Sequence, residues 1–193
     1  MIALTLAEVA ELTGGALTGP ADAVVTGSVT LDSRSVGAGD LFVAVVDYAH
    51  TPDAVATALA ALREATTGRL ITVLGCGGDR DPGKRAAMGT SAARLSDVLI
   101  VTDDNPRSED PAAIRAAMLA GVAEVPADRR AEVLEVAGRR DALAAAVALA
   151  APGDTLLVAG KGHETGQEVA GTVHPFDDRA VLREVLAAMG TSA

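Results

Sequence analysis

Three short polar segments of this chain carry residue types that can bind and orient a charged small molecule, and each directly follows an apolar run. Gly78-Asp79-Arg80-Asp81-Pro82-Gly83-Lys84-Arg85 nearly spells a phosphate loop, G-x-x-x-x-G-K-[ST]. Arg85 stands where a hydroxyl should hold magnesium, and Pro82 removes one backbone N–H from the cradle. Three readings stay open: a nucleotide loop, which those two defects disfavour, a glycine turn with solvated charges, or Arg80, Lys84 and Arg85 gathered round an anion at a helix N-terminus.

Asp103-Asp104-Asn105-Pro106-Arg107 forms the second segment. Pro106 biases Asn105 toward an extended exit, which can present Asn105 and Arg107 at a strand edge. Carboxylate, amide and guanidinium together offer acceptors, donors and a bidentate fork, the set a zwitterionic amino acid needs. The plain alternative is an Asx turn with Arg107 in solvent. In Gly160-Lys161-Gly162-His163-Glu164 the glycines allow close backbone approach, Lys161 and His163 can donate, and Glu164 can accept an ammonium. Here too an ordinary loop is the alternative. Asp47 could take a ribose hydroxyl; His50 reads equally well as a satisfied interface histidine and is not assigned as a base, and His174, before Pro175, reads as structural. No His, Cys and carboxylate group has metal-ligand spacing, and no serine sits in a nucleophile elbow, so no catalytic or metal residue is assigned.

The elements that must position these segments alternate regularly from about residue 47. Thr51-Pro52-Asp53 starts a helix to about Ala65, and Leu70–Leu74 is a strand. A helix over about 83–96 leads to strand Val98–Thr102, and Asp110-Pro111 caps the next helix. Strand 132–136, helix 141–150, strand Thr155–Ala159, a hairpin-like stretch over 168–176 and a helix over 178–189 complete the order. Apolar strands separated by helices of this length imply an α/β, Rossmann-like fold: a mostly parallel sheet with helices on both faces. Ligands bind beyond the carboxyl ends of such strands, so the three segments should meet at one rim. Residues 1–45 read as a small amino-terminal α/β fragment, with a helical pattern around Leu6–Leu12 and β-prone runs at 23–26 and 29–31.

Composition narrows the function classes. The chain has 193 residues, 49% hydrophobic and only 2% aromatic, so its core must be Ala, Val and Leu. A formal net charge of −10 argues against a general nucleic-acid or anionic-membrane surface, yet leaves room for a local basic pocket. One cysteine, Cys76, forms no intramolecular disulfide and no multi-Cys zinc site. Apolar runs stop well short of the ~20 residues a membrane span needs, and the start lacks a basic n-region, so a cytoplasmic protein is expected.

The ordered motifs Asp47-Tyr48-Ala49-His50-Thr51-Pro52-Asp53, Gly75-Cys76-Gly77-Gly78-Asp79-Arg80-Asp81, Asp104-Asn105-Pro106-Arg107 and Gly160-Lys161-Gly162-His163-Glu164 resemble the carboxy-terminal domain of the Mur ligases. The likeness is strongest to the branch that adds diaminopimelate to UDP-MurNAc-L-Ala-D-Glu during peptidoglycan precursor synthesis. Leu31-Asp32-Ser33-Arg34 and Gly39-Asp40-Leu41-Phe42 resemble the start of the family's UDP-binding domain. The resemblance divides the chain into 1–45, a remnant of that domain, and 46–193, the amino-acid-docking domain. It implies that Arg80, Asp104, Asn105, Pro106, Arg107, Gly160 and Glu164 bind meso-diaminopimelate. Leu31 and Ser33 would touch the uridine nucleotide and Asp47 the ATP ribose. ATP and Mg2+ are the family's cofactors, and the UDP-MurNAc-dipeptide is its acceptor. The family's central ATPase domain has no counterpart between Val45 and Asp47, as in a fusion across an internal deletion, so the chain is expected to dock the amino acid without activating the acceptor.

Overall fold

The computed structural model describes residues 4–5, 24–25, 44–151 and 153–190. Strands β1 (Leu4–Thr5) and β2 (Val24–Val25) pair antiparallel. The amino-terminal helical pattern at 6–12 and the strand expected at 29–31 lie outside the described residues.

From β3 (Ala44–Asp47) onward the chain alternates strand and helix: α1 (Pro52–Ala65), β4 (Leu70–Cys76), α2 (Gly83–Leu95), β5 (Val98–Asp103), α3 (Pro111–Ala123), β6 (Glu132–Glu135), α4 (Arg139–Leu149) and β7 (Thr155–Ala159). A hairpin of β8 (Gly166–Val169) and β9 (Thr172–Pro175) precedes α5 (Asp178–Gly190). Strands β3 to β7 form one five-stranded sheet in the order β3-β7-β4-β5-β6, with every pairing parallel. β3 straddles the boundary between 1–45 and 46–193 drawn from sequence, and all four of its residues pair with β7.

Local chemistry starts the helices. The Thr51 hydroxyl accepts from Ala54 N ahead of Pro52, and Asp110 accepts from Ala112 N ahead of Pro111, each satisfying an otherwise orphaned amide. Side chains alternate across the sheet. Leu74, Leu99, Val101, Leu157 and Ala159 pack with α1, α2 and α3 on one face, while Ile71, Val73, Ile100, Leu156 and Val158 pack with α4 and α5 on the other. Covering on both faces is why β4 is buried throughout and, Thr72 apart, reads with most of β5 as apolar. The aromatic-poor composition is used for close backbone approach: a Cβ on Gly121 would stand 1.9 Å from Ala86 O, so α2 and α3 nearly touch there.

Element bounds shift by one or two residues in several places, and two of these shifts bear on the site. β4 runs on through Gly75 and Cys76, because the ladder with β5 continues as Gly75↔Thr102 and Cys76↔Asp103. Helix α4 begins at Arg139 rather than 141. Gly138, at φ 83, donates its N–H to the Asp103 carboxylate, and Arg139 is buried against Asp178. Both anchors are distant in sequence.

Among the described residues no helix is long and apolar enough to cross a membrane.

Candidate functional site

The chain builds β4, β5 and β6 outward in one direction and then returns to place β7 on the other side of β4. That reversal opens a crevice beyond the carboxyl ends of β4 and β7, the place where such sheets hold ligands. A cleft of about 270 Å³ lies there. Arg80, Lys84, Asp104, Arg107, Gly160 and Glu164 line it, over a floor that includes Gly75, Cys76 and Met88 and beside Tyr48 and His50. The three polar segments therefore do converge on one rim. A second, more open cleft of about 420 Å³ shares Arg107 and Glu164 and includes Asn105, His163, Glu168 and Val173.

The loop after β5 is held from several sides. Asn105 is buried, and its Oδ1 accepts from Lys161 Nζ at 3.1 Å and from Glu168 N at 3.0 Å. Two donors on the oxygen turn the amide nitrogen toward Glu164, where it donates to Oε2 at 2.8 Å. Arg107 has a left-handed backbone, φ 52. Its N–H donates to Glu168 O at 2.9 Å and its carbonyl accepts from Ala170 N at 2.7 Å, so the hairpin buttresses the loop. Its Nη1 donates to Gly78 O at 2.7 Å and its Nε lies 3.3 Å from a Glu168 carboxylate oxygen. A guanidinium has five N–H donors. The rest are uncommitted among the described residues, and the residue lines both clefts. Pro106 lines neither cleft; it is buried, and its carbonyl accepts from Glu109 N.

Lys161 does not face a ligand, contrary to the sequence reading. Its side chain is 0% exposed, and Nζ donates to Gly166 O at 2.6 Å, Asn105 Oδ1 at 3.1 Å and Glu164 Oε2 at 3.2 Å, with Asp104 Oδ1 at 3.5 Å. A buried ammonium must be paired and hydrogen-bonded, and here the partners are the site's own acidic and amide groups. Lys161 thus fixes residues that can meet a ligand. Burial would raise the Glu164 carboxyl, but hydrogen bonds from Asn105 and Lys161 and the Lys161 charge outweigh it and hold it below the ordinary carboxylate range. Glu164 stays anionic, with Oε1 still open among the described residues. Gly160, at φ 110, carries the chain over the Asp104 carboxylate.

Arg85 also turns away from the cleft, contrary to the reading that gathers it round an anion. Only 5% exposed, it gives both terminal nitrogens to Glu109, at 2.8 and 2.9 Å, and cannot reach a ligand in the cleft. Arg80 and Lys84 remain. Arg80 has no hydrogen bond or ion pair among the described residues, and Lys84 Nζ donates to His50 O at 2.8 Å. Four amides of the would-be phosphate cradle are already used, Gly78 N by Asn105 O, Asp79 N by Glu109, Gly83 N by Asp81 and Arg85 N by Pro82 O, and Pro82 has none to offer. These residues therefore do not fit a triphosphate, and among the described residues no group of three or more His, Cys, Asp or Glu could hold a metal ion.

Asp47 ends β3 at the same rim, outside the lining of either cleft, with Oδ1 accepting from Ala49 N at 2.7 Å. Leu31 and Ser33 lie outside the described residues. Tyr48 stands half-exposed between the rings of His50 and His163, at 4.5 and 5.5 Å. Sequence reasoning gave no site role to Tyr48 or to Cys76, whose thiol burial pushes up to about 12. It also missed Arg139, wholly buried, which binds Asp178 at 2.7 Å and donates to Ala159 O at the end of β7. The pairing with Asp178 spans 39 residues, so no local signal could have found it.

The chain is thus a parallel α/β domain whose switch-point crevice is lined by guanidinium and ammonium groups beside two acids. The Mur ligase, glutamate ligase domain family matches residues 34–162, and the chain belongs to that family. It is 62% identical over 151 residues to the UDP-N-acetylmuramoyl-L-alanyl-D-glutamate–2,6-diaminopimelate ligase of Streptomyces avermitilis, covering 78% of this chain and 30% of that protein. The Caulobacter vibrioides ligase of the same name is 59% identical over 143 residues, 74% of this chain and 28% of the relative. A solved structure of a ligase with this name superposes with a TM-score of 0.69 at 41% identity, over 75% of this chain and 29% of that one. A murein peptide ligase from Psychrobacter arcticus, at 17% identity and TM-score 0.52 over 76% of this chain and 28% of that one, shares the fold. The chain spans about 30% of the length of the first of these relatives.

Proposed function

We propose that this chain is the amino-acid-docking part of a peptidoglycan-precursor ligase and that its amino acid is meso-diaminopimelate. The observation that carries this reading is the gathering of Arg80, Lys84, Arg107 and Glu164 about one cleft at the sheet's switch point. Diaminopimelate has two carboxylates and two ammonium groups. Arg80 and Lys84 suit one carboxylate and the open N–H groups of Arg107 the other, while Glu164 and Asp104 suit an ammonium. Asn105 holds Glu164 in place, Gly160 lets the chain pass close, and Pro106 shapes the turn that carries Arg107. L-Lysine lacks the second carboxylate and would leave the open N–H groups of Arg107 without a partner, so a site of this kind disfavours it.

In the proposed reaction the docked amine, in its neutral form, attacks the D-glutamate acyl phosphate of a UDP-MurNAc-dipeptide; the C–N bond forms as the C–O bond to phosphate breaks, releasing inorganic phosphate and the amine's proton. Docking supplies position and orientation, which alone can remove a large part of a bimolecular barrier. Activation is the work of ATP and Mg2+, and the described residues supply no phosphate cradle for it. Asp47, with its second carboxylate oxygen open among the described residues, is the candidate contact for the ATP ribose. Leu31 and Ser33 keep the uridine role the resemblance gives them. A nucleotide-linked acceptor makes the cytoplasm the proposed working place, without nucleic-acid or membrane-inserted partners.

Isothermal titration of the chain with meso-diaminopimelate and with L-lysine tests the reading. Heat with the first alone, lost in Arg107→Ala, is expected. Equal binding of both, or of neither, would overturn it. ADP release by the chain at an ordinary ligase rate, dependent on both substrates, would overturn the docking-only assignment.

A further inference from the structure

Three non-glycine residues among those described have a left-handed backbone: Asp79 (φ 51), Arg107 (φ 52) and Ala170 (φ 49). Ala170 sits with Gly171 in the β8–β9 hairpin turn, where tight turns require that conformation. Asp79 and Arg107 have no such local reason. They belong to neighbouring loops, after β4 and after β5, and those loops are bolted to each other. Strained backbone of this kind persists only where its surroundings over-determine it, and it gathers at functional sites.

The bolts can be counted through. Asp79 Oδ1 accepts from the Ser108 hydroxyl at 2.7 Å and Oδ2 from Ser108 N at 3.1 Å, so one carboxylate grips both donors of the residue that follows Arg107. In return, Arg107 Nη1 donates to the carbonyl of Gly78, the residue before Asp79. Asp79 N donates to Glu109 Oε1 at 2.6 Å, and Glu109 is itself anchored by Arg85. Gly78 lies so close beneath the other loop that an added Cβ would stand 2.0 Å from Pro106 O. The hydrogen bonds from Ser108 hold the Asp79 carboxyl below the ordinary range, which keeps it an acceptor.

We propose that Asp79 and Ser108 act as a positioning clasp: they set the backbone of Arg107 and thereby aim its guanidinium into the cleft. Neither residue lines a cleft. Both are exposed, so neither is needed to fill the core. The clasp makes the specificity of the site a property of two surface residues that need not touch the ligand. For its ligand arm the inference rests on the reading of Arg107 as the binder of a second carboxylate; its structural arm does not.

The test uses Asp79→Ala, Ser108→Ala and Ser108→Thr in the full chain, with two readouts. The first is the Arg107 Nε–Hε signal in a 15N-correlated NMR spectrum, assigned by its disappearance in Arg107→Lys. In the wild type it is expected sharp and protected from exchange. In Asp79→Ala and Ser108→Ala it is expected to shift and broaden, at unchanged melting temperature, with Ser108→Thr restoring it. The second is titration with meso-diaminopimelate, expected to weaken about tenfold in the two alanine variants, the loss of roughly one well-aimed charged contact. An unmoved Arg107 signal in both alanine variants overturns the clasp while leaving the docking proposal standing. If the wild type does not bind diaminopimelate, the docking proposal falls and the Arg107 signal alone decides the clasp. Should Asp79→Ala lower the melting temperature, Ser108→Ala, which keeps the carboxylate and the Ser108 amide, decides.

Discussion

Replacing Lys161 with methionine isolates what a buried ammonium does for this rim. Methionine is close in length and apolar, so the packing volume is nearly kept while the charge and three donors go. Asp104, whose side chain is 9% exposed, and Glu164, 33% exposed, then lose their common counter-charge, and Gly166 O loses its 2.6 Å donor. Breaking a buried pair by removing one partner costs roughly 3–5 kcal/mol. Lys161 is wholly buried, but Glu164 is partly solvated and its share is screened, so the lower end, about 3 kcal/mol at pH 7, is the expected loss. Glu164 gives the pH dependence. In the wild type its folded-state carboxyl is held below its ordinary value of 4.5, so it contributes stability that is complete above that value and is lost as pH falls through the folded value. The variant has less of that stability to lose. Wild-type and variant urea midpoints, followed by far-UV circular dichroism, should therefore differ most at pH 7 and converge below about pH 4.5. A difference under about 0.5 kcal/mol at pH 7 would refute the view of Lys161 as an electrostatic hub, as would a difference that does not narrow once pH has fallen through the folded Glu164 value, where that carboxyl is protonated in both proteins.

Arg139→Met leaves the wholly buried Asp178 uncompensated and is expected to cost roughly 3–5 kcal/mol in urea unfolding, much of it recovered by adding Asp178→Leu. Gly121→Ala puts a Cβ 1.9 Å from Ala86 O and must part α2 from α3; the melting temperature should fall by about 4–8 °C. Cys76, with its thiol at about 12 and 2% exposed, should resist iodoacetamide at pH 8 in the folded chain and react fully in urea.

Much of this architecture is written locally. Thr51-Pro52 and Asp110-Pro111 each carry their own N-cap and first helical residue, and both helices start there. Apolar runs followed at once by polar motifs gave the strand ends, and a parallel sheet then forced Gly75–Arg85, Asp103–Glu109 and Gly160–Glu164 to one rim. What could not be read is which charges face the cleft. Arg80, Lys84 and Arg85 look alike in sequence, and Arg85 turns inward only because Glu109, 24 residues on, meets it. Lys161 looks like a ligand donor until the hairpin brings Gly166 O and Glu168 N around Asn105. The start of α4 was misplaced for the same reason, since Arg139 depends on Asp178. In each case the deciding partner lies on another element, and residue type alone is silent about it.

In the proposed function Arg80, Arg107 and Glu164 surround one doubly carboxylated amino acid. Titrating the 15N-labelled chain with meso-diaminopimelate and following side-chain and amide shifts tests it most directly. Saturable shifts are expected at Gly77–Arg80, Asp104–Arg107 and Gly160–Glu164, with L-lysine at equal concentration moving few of them. Shifts concentrated at the opposite end of the sheet, or the same shifts with both amino acids, would contradict it.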